Sequence, residues 1–462
     1  MNKLQLMLAV IVGKLAILLS RRLGNQGSDF PGKLARKIYP SILQDLAGHI
    51  TDDIIIITGT NGKTTTTNMI AEIIKEKGYS FIHNQAGANL ISGITTAFIE
   101  KNNFAGTRKF NYALLETDEA NVPLLLKEIK PSVLLITNFF RDQLDRYGEL
   151  DHTINLIKDA VRHTGIELIL NADDPLVAHF QRETGLHCWY YGFTDTIYDS
   201  SESCESREGR YCVFCGQELI YKRYHYAQLG KFSCPGCGNQ NPSCNFTGQE
   251  LIMHPSIEFR INDIRINSPY QGFYNAYNIL AAVSVCKLLG IQNEIIEGAI
   301  ARYQPRAGRM ENFIINGKRT ILILVKNPAA LNQTLSTLLY DPAKKSLFFA
   351  LNDNAADGRD ISWIWDADVE IINDETANID GIICSGQRSG DIAVRIKYSG
   401  FNENDIIIKS DLQSGIEEAI KKNSEASYIL STYTALFECR RILQKLEGTS
   451  LPIIEQQRQV QE

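Results

Sequence analysis

Four consecutive isoleucines, residues 54–57, run into the polar turn TGTNGKTT, and Met69, Ile70, Ile73 and Ile74 follow at helical spacing. An unbroken apolar run predicts a strand buried on both faces, and the change of period beyond it predicts a helix. The segments NYALLETDEA, PSVLLITNFFRDQLDRYG and IELILNADDP repeat the theme, each an apolar run ending in polar or acidic residues. Strands that feed helices in this way predict a doubly wound α/β sheet. In SPYQGFYNAYNILAAVSVCKLLG, apolar positions from Ile279 to Leu289 predict a further helix, opened by Gly272, Asn275 and Asn278. Pro305 and Gly308 then punctuate RYQPRAGRMENF and predict a boundary. Beyond it, TILILVKNPAALNQ, SLFFALNDNAADGRDISWIWDADVE, DGIICSGQR and SYILSTYTA predict a second α/β domain. The expected division is an N-terminal helical segment over 1–45, a central domain over 46–305 and a C-terminal domain over 306–462.

The opening stretch, MNKLQLMLAVIVGKLAILLSRRLG, is apolar but interrupted by Lys14 and followed by Arg21 and Arg22. A spanning helix needs about 20 mostly apolar residues, so three readings stay open. The helix packs on the body, lies in a membrane interface or lines a lipid-linked substrate site, or spans.

Composition narrows the function. A chain of 462 residues with formal net charge −6 argues against a nucleic-acid binder. Ten cysteines in that length are too sparse for a secreted disulfide scaffold. Four of them form C-x2-C-x18-C-x2-C: Cys212, Cys215, Cys234 and Cys237, each pair followed by a glycine. That spacing predicts a structural zinc ribbon with four thiolate ligands, inserted at about 204–245. Cys204 and Cys244 read as bystanders, and Cys188, Cys286, Cys384 and Cys439 as ordinary thiols.

A helix N-terminus offers unpaired N–H groups and a partial positive charge, so the turn after the isoleucines is a place for phosphate. Gly59 and Gly62 permit close backbone approach, Lys63 adds a charge, and Thr64 offers a magnesium-ligating hydroxyl. The standard P-loop would carry a glycine where Ile57 stands, so Gly59, Thr60, Asn61, Gly62, Lys63, Thr64 and Thr65 form a shorter loop of the same chemistry. Glu116, Asn138 and Asp173 lie at strand ends, where such sheets bind ligands. Glu116 and Glu119 are magnesium candidates or solvated acids. Asn275 and Asn278 read as contacts to an adenine edge or as helix caps. The loop NDNAADGRD, with Asp353, Asp357 and Asp360, meets a cation or a hydrogen-bond donor, or is a solvated acidic loop.

With these residues in view, the chain resembles the Mur ligase family, and within it the MurT-type branch. The resemblance rests on GTNGKTT, TNFFRDQLDRYGELD, NADDP, GFYNAYN, GRME, and SGQR with AVRIKYSG; the cysteine insertion, NDNAADGRDISWIWD and STYTA resemble the branch in particular. It implies an ATP-binding central domain followed by a Rossmann-like closing domain. It also implies ATP-driven activation of a carboxylate as an acyl phosphate. In the branch, ammonia from a GatD-type glutaminase subunit converts the α-carboxyl of D-glutamate in the lipid II stem peptide to the amide. The implied location is cytoplasmic, peripheral to the membrane through that substrate. The resemblance assigns Lys63 and Thr64 to phosphate and magnesium, Glu116 to the metal, Asn275 to adenine and Arg309 to the phosphates. Asp357, with Asp353 second, is the acid expected to handle ammonium or to assist the partner's glutaminase site. The sequence departs from the family pattern at several places. Ile157 stands where amino-acid-adding members carry a carbamylated lysine, with Lys158 beside it; Gln143 and Tyr274 replace histidines; Ile323 replaces a ribose-binding aspartate and Lys326 a histidine. The competing expectation is an amino-acid-adding or folate-type ligase acting on a soluble precursor.

Overall fold

The computed structural model describes residues 3–22, 28–84, 88–140, 150–201, 208–304 and 308–450. Three helices come first, α1 (Lys3–Arg22), α2 (Phe30–Ile38) and α3 (Ile42–Ala47). The chain then alternates through β1 (Ile50–Thr58), α4 (Lys63–Glu76), β2 (Phe81–His83), α5 (Ile91–Lys101), β3 (Phe110–Glu116), α6 (Val122–Leu126) and β4 (Val133–Ile136). It continues through α7 (Leu150–Val161), β5 (Glu167–Asn171), α8 (Phe180–Thr184) and β6 (Cys188–Phe193). A hairpin, β7 (Ile220–Tyr226) and β8 (Leu229–Ser233), precedes β9 (Phe246–Ile252), β10 (Ile257–Ile261), β11 (Ile264–Ser268), α9 (Phe273–Leu288) and α10 (Asn293–Arg302).

These strands form a nine-stranded sheet in the order β11-β10-β9-β6-β5-β4-β1-β3-β2, parallel from β2 to β9 and antiparallel beyond. The isoleucines of β1 occupy its middle, between β3 and β4, and residues 55–57 are fully buried. One face packs on α4, α9 and α10, the other on α1, α2, α3, α5 and α7. Burial on both faces is why the run has no alternation.

The second sheet is built from β12 (Arg309–Ile315), β13 (Lys318–Leu324), α11 (Pro328–Tyr340), β14 (Lys345–Ala350), β15 (Ile379–Ser385), α12 (Ser389–Tyr398), β16 (Ile406–Ile408), α13 (Leu412–Lys421), β17 (Ala426–Ser431) and α14 (Tyr433–Ser450). Its order is β12-β13-β17-β14-β15-β16, with only β12 antiparallel. Helices α11 and α12 cover one face, α13 and α14 the other. The segment after β14 joins the α11 side through Trp363 and Ile364, while β17 feeds α14 on the opposite side. The carboxyl ends of β14 and β17 are thus a topological switch point, where sheets of this type open a crevice.

Trp363 is buried under the loop, whereas Trp365 is 51% exposed and lies edge-on to Tyr398. Helix α1 packs on the body through Leu6, Ala9, Val10, Gly13, Ala16 and Ile17, the arrangement of the packed reading, although it is long and apolar enough to cross a membrane. Cys188, Cys286, Cys384 and Cys439 are buried and unpaired, as ordinary core thiols are, and Cys244 is half-buried. Cys204, Pro305, Asp142 and Gln143 fall outside the described residues.

Candidate nucleotide site and zinc ribbon

The loop between β1 and α4 is held by its neighbour at the end of β4. Asn138 accepts from the Asn61 N–H at 3.0 Å and donates to the Asn61 carbonyl at 3.1 Å, and the Thr137 hydroxyl donates to the same carbonyl at 2.7 Å. The Thr60 hydroxyl exchanges bonds with the Phe140 backbone. Both loop glycines have left-handed backbone, φ +116° at Gly59 and +85° at Gly62. A Cβ at Gly59 would collide with the Thr137 hydroxyl, and one at Gly62 with the Asn278 amide oxygen. The tight approach of strand end and helix α9 therefore requires glycine at both positions.

Lys63 opens α4, so its charge adds to the helix N-terminus. Its ammonium donates to the Gly59 carbonyl, to the Thr60 carbonyl at 3.3 Å and to Glu119 at 3.1 Å. Burial raises the Glu119 carboxyl above the ordinary range; Lys63, and more weakly Lys326, pull it back. The Thr64 hydroxyl donates to Glu116 at 2.8 Å. Glu116 is itself fixed by Asn84, which accepts from its N–H at 2.9 Å and donates to its carbonyl at 2.7 Å. A hydroxyl and a carboxylate in contact at a phosphate loop are the donor set for a hard, oxygen-liganded cation. Asn84 had no signal in sequence: it stands alone, and only the β2–β3 pairing brings it beside Glu116.

Opposite the loop, a cavity is lined by Asn61, Gly62, Thr65, Tyr274, Asn275 and Asn278 of the first sheet's domain, and by Gly308, Arg309, Ile323 and Lys326 of the second. The structure thus brings the loop, Asn275 and Arg309 together. It also brings in the three departures from the family pattern at Tyr274, Ile323 and Lys326. Asn275 is 1% exposed; its amide donates to the Gln271 carbonyl at 2.8 Å and accepts from Asn278 at 3.2 Å. Ile157 is core, and Lys158 pairs with Glu183 at 2.8 Å, so neither reaches the phosphate loop.

Asp173 has a different role from the ligand site its strand-end position suggests. It is fully buried and accepts from the Phe193 N–H, Lys231, Tyr277 and Asn241. Lys231 and Asn241 belong to the cysteine insertion, so Asp173 anchors that insertion to the sheet. The four cysteine sulfurs all lie within 4.8 Å of one another. Cys212–Cys237 and Cys215–Cys234 are 3.5 and 3.4 Å apart. A tetrahedral zinc with Zn–S near 2.3 Å separates its sulfurs by roughly 3.8 Å, so the set fits. Gly216 and Gly238 return their N–H groups to the Cys212 and Cys234 carbonyls with φ of +71° and +72°, closing the two knuckles.

Asp357 and Asp353 lie apart from the cavity residues, in the loop after β14. Asp357 is 5% exposed; it accepts from the Thr434 N–H at 2.7 Å, the Thr434 hydroxyl at 2.6 Å and the Asn354 N–H at 3.1 Å. It therefore ties the loop to the start of α14 across the switch point. Asp353 pairs with Arg388 at 2.6 Å.

A phosphate loop facing a second α/β domain across a cleft lined by both is the arrangement of a nucleotide-driven ligase. Comparison with known proteins agrees. The family description "Mur ligase middle domain" matches residues 57–234 and "MurT ligase C-terminal" matches residues 324–436. The chain is 39% identical over 404 residues to "Lipid II isoglutaminyl synthase (glutamine-hydrolyzing) subunit MurT" of Staphylococcus aureus (strain COL), covering 87% of this chain and 90% of the relative. It is 36% identical to the protein of the same description in Streptococcus pneumoniae (strain ATCC BAA-255 / R6), covering 94% and 96%. A pseudomurein peptide ligase type C from Methanothermus fervidus shares the fold, with TM-score 0.66, 22% identity, and coverage of 87% and 80%. The chain belongs to the Mur ligase family, in its MurT branch.

Proposed function

We propose that this chain is the ATP-dependent synthetase subunit of a lipid II isoglutaminyl synthase. In this reading it amidates the α-carboxyl of D-glutamate in the stem peptide of lipid II during peptidoglycan synthesis. The observation that carries the proposal is the gathering of Lys63, Thr64 and Glu116 at a loop whose Asn61, Gly62 and Thr65 line a cleft with Arg309 and Lys326. Relatives of the same branch, described as subunits of that enzyme, support it.

In the reaction, a substrate carboxylate oxygen attacks the γ-phosphorus of ATP and ADP leaves. Ammonia then attacks the acyl carbon, phosphate leaves, and the nitrogen gives up a proton. Lys63 exchanges its bonds to Gly59, Thr60 and Glu119 for the phosphates, and the loop N–H groups and Arg309 hold the remaining charge. Such clamping supplies most of the rate enhancement in phosphoryl transfer. Magnesium held by Thr64 and Glu116 would neutralise charge on the transferring group. Asn275 is assigned to the adenine, its amide turning from Gln271 and Asn278 to do so. Zinc held by Cys212, Cys215, Cys234 and Cys237 would have four thiolates and no place for substrate, so its part would be structural.

Ammonia comes from glutamine hydrolysed by a GatD-type glutaminase subunit. Asp357, with Asp353 second, is assigned to orienting or deprotonating the ammonium or to assisting the partner's glutaminase site; its place at the switch point supports this. The test is amidation of lipid II by the chain and its glutaminase with ATP and glutamine. Lys63→Ala is expected to lower turnover by about 10³-fold. Turnover of a soluble nucleotide-linked precursor with a free amino acid instead would overturn the reading.

A further inference from the structure

Helix α1 is apolar on two opposite sides. Leu6, Ala9, Val10, Gly13, Ala16 and Ile17 are buried against the body. Leu4, Leu8, Leu15, Leu18 and Leu19 are 52–75% exposed. With half-buried Ile11, these outward positions recur at i, i+4 and i+3, the spacing of one continuous stripe. A water-facing helix surface does not need such a stripe, and contiguous apolar patches of this kind mark interaction sites. The stripe ends in Arg21 and Arg22, both exposed.

Phe30, 61% exposed, stands at the lip of an adjoining groove that Lys33, Lys37, Leu90 and Asn121 also line. Arg36 in that groove is neutralised by a two-pronged pair with Glu128 at 2.6 Å. Lys37 and Arg22 have no acidic partner among the described residues, and Lys33 bonds only its own helix's Asp29. The groove's other wall leads to the site: Asn121 is two residues beyond Glu119, the carboxylate on Lys63.

We infer that the outward stripe of α1 lies in the interface of an anionic lipid bilayer, with Arg22, Lys33 and Lys37 at the level of the headgroup phosphates. The apolar stripe bordered by cations matches the two components of interfacial binding, buried apolar area and attraction to anionic lipid. The buried opposite face keeps the helix flat on the body, so it lies on the bilayer and does not cross it. Resting on the proposed function, this places the groove, and the Glu119 wall beyond it, against the surface that carries a lipid-linked substrate.

The test is sedimentation of the full chain, with its glutaminase subunit, with vesicles of phosphatidylglycerol and phosphatidylcholine. Binding is expected to the mixed vesicles and to weaken sharply on pure phosphatidylcholine or at high salt. A Leu8→Glu, Leu15→Glu, Leu18→Glu variant is expected to lose at least about tenfold in partitioning. The same variant is expected to retain amidation of a water-soluble, lipid-free substrate analogue and to lose rate on vesicle-borne substrate. Equal sedimentation of the variant and the parent chain would overturn the inference. So would a stripe covered by a second copy, seen as a dimer that the variant abolishes without change in vesicle binding. If the parent chain binds vesicles but amidates neither substrate, the proposed function fails and the membrane inference stands.

Discussion

At the scale of the residue, the phosphate loop is the part most open to sequence reading, because each group there acts through its own chemistry. Gly59, Gly62, Lys63 and Thr64 need only a strand before them and a helix after them, and both were visible in the apolar periods. What fixes the loop was less visible: Asn138 stood out only as a strand-end residue, while Thr137 reaches the loop, and Asn84 reaches Glu116, through parallel strand pairing that no local pattern reports. Gly62→Ala is expected to destabilise the fold by about 1–3 kcal/mol, from forcing left-handed backbone on alanine and from the clash with Asn278. Its nucleotide affinity should fall as well; thermal unfolding and nucleotide titration would check both. Buried His83 provides a pH prediction. Burial holds its imidazole down to about 4, against about 6.5 in an unfolded chain. Between those values the unfolded chain binds a proton that the folded one does not, so stability falls as pH drops from 6.5 towards 4. The loss is about 3 kcal/mol at most by that linkage. His83→Gln should flatten denaturation midpoints across this window; an unchanged slope would show that other groups carry it.

At the scale of the element, the zinc ribbon is read from spacing alone, since four thiolates around a tetrahedral ion constrain sequence separation directly. Its attachment is a tertiary fact. Asp173, an apparent ligand-site acid, is instead the buried anchor that receives Lys231 at 2.6 Å. Lys231→Met removes one partner of a buried pair, and Asp173 keeps its neutral donors. The expected cost is about 3 kcal/mol, with the melting transition lowered and zinc content unchanged. Chelating the zinc is expected to unfold the ribbon first, seen as increased proteolysis between residues 208 and 245, and only then to lower turnover. Simultaneous loss of both would tie the metal to the reaction itself.

At the scale of the whole molecule, the cleft exists only because two sheets face each other. Arg309 begins the second sheet and lines a cavity that both domains build together. Arg309→Ala is expected to weaken ATP binding by roughly tenfold, the loss of one charge-assisted contact, while leaving the melting temperature nearly unchanged. A large stability loss would show that the arginine serves packing instead. The sequence by itself determined the alternation of strands and helices, the phosphate loop and the four-cysteine ribbon. Each is encoded by neighbours along the chain, through side-chain period, backbone freedom or ligand spacing. Tertiary structure alone decided that Tyr274, Ile323 and Lys326 share one cavity with Arg309, and that Asp357 bridges to Thr434 across a switch point. It also decided that α1 buries one apolar face and leaves the other outward. These depend on contacts between residues far apart in the chain, where strand order and domain apposition, which periodicity does not encode, set the distances.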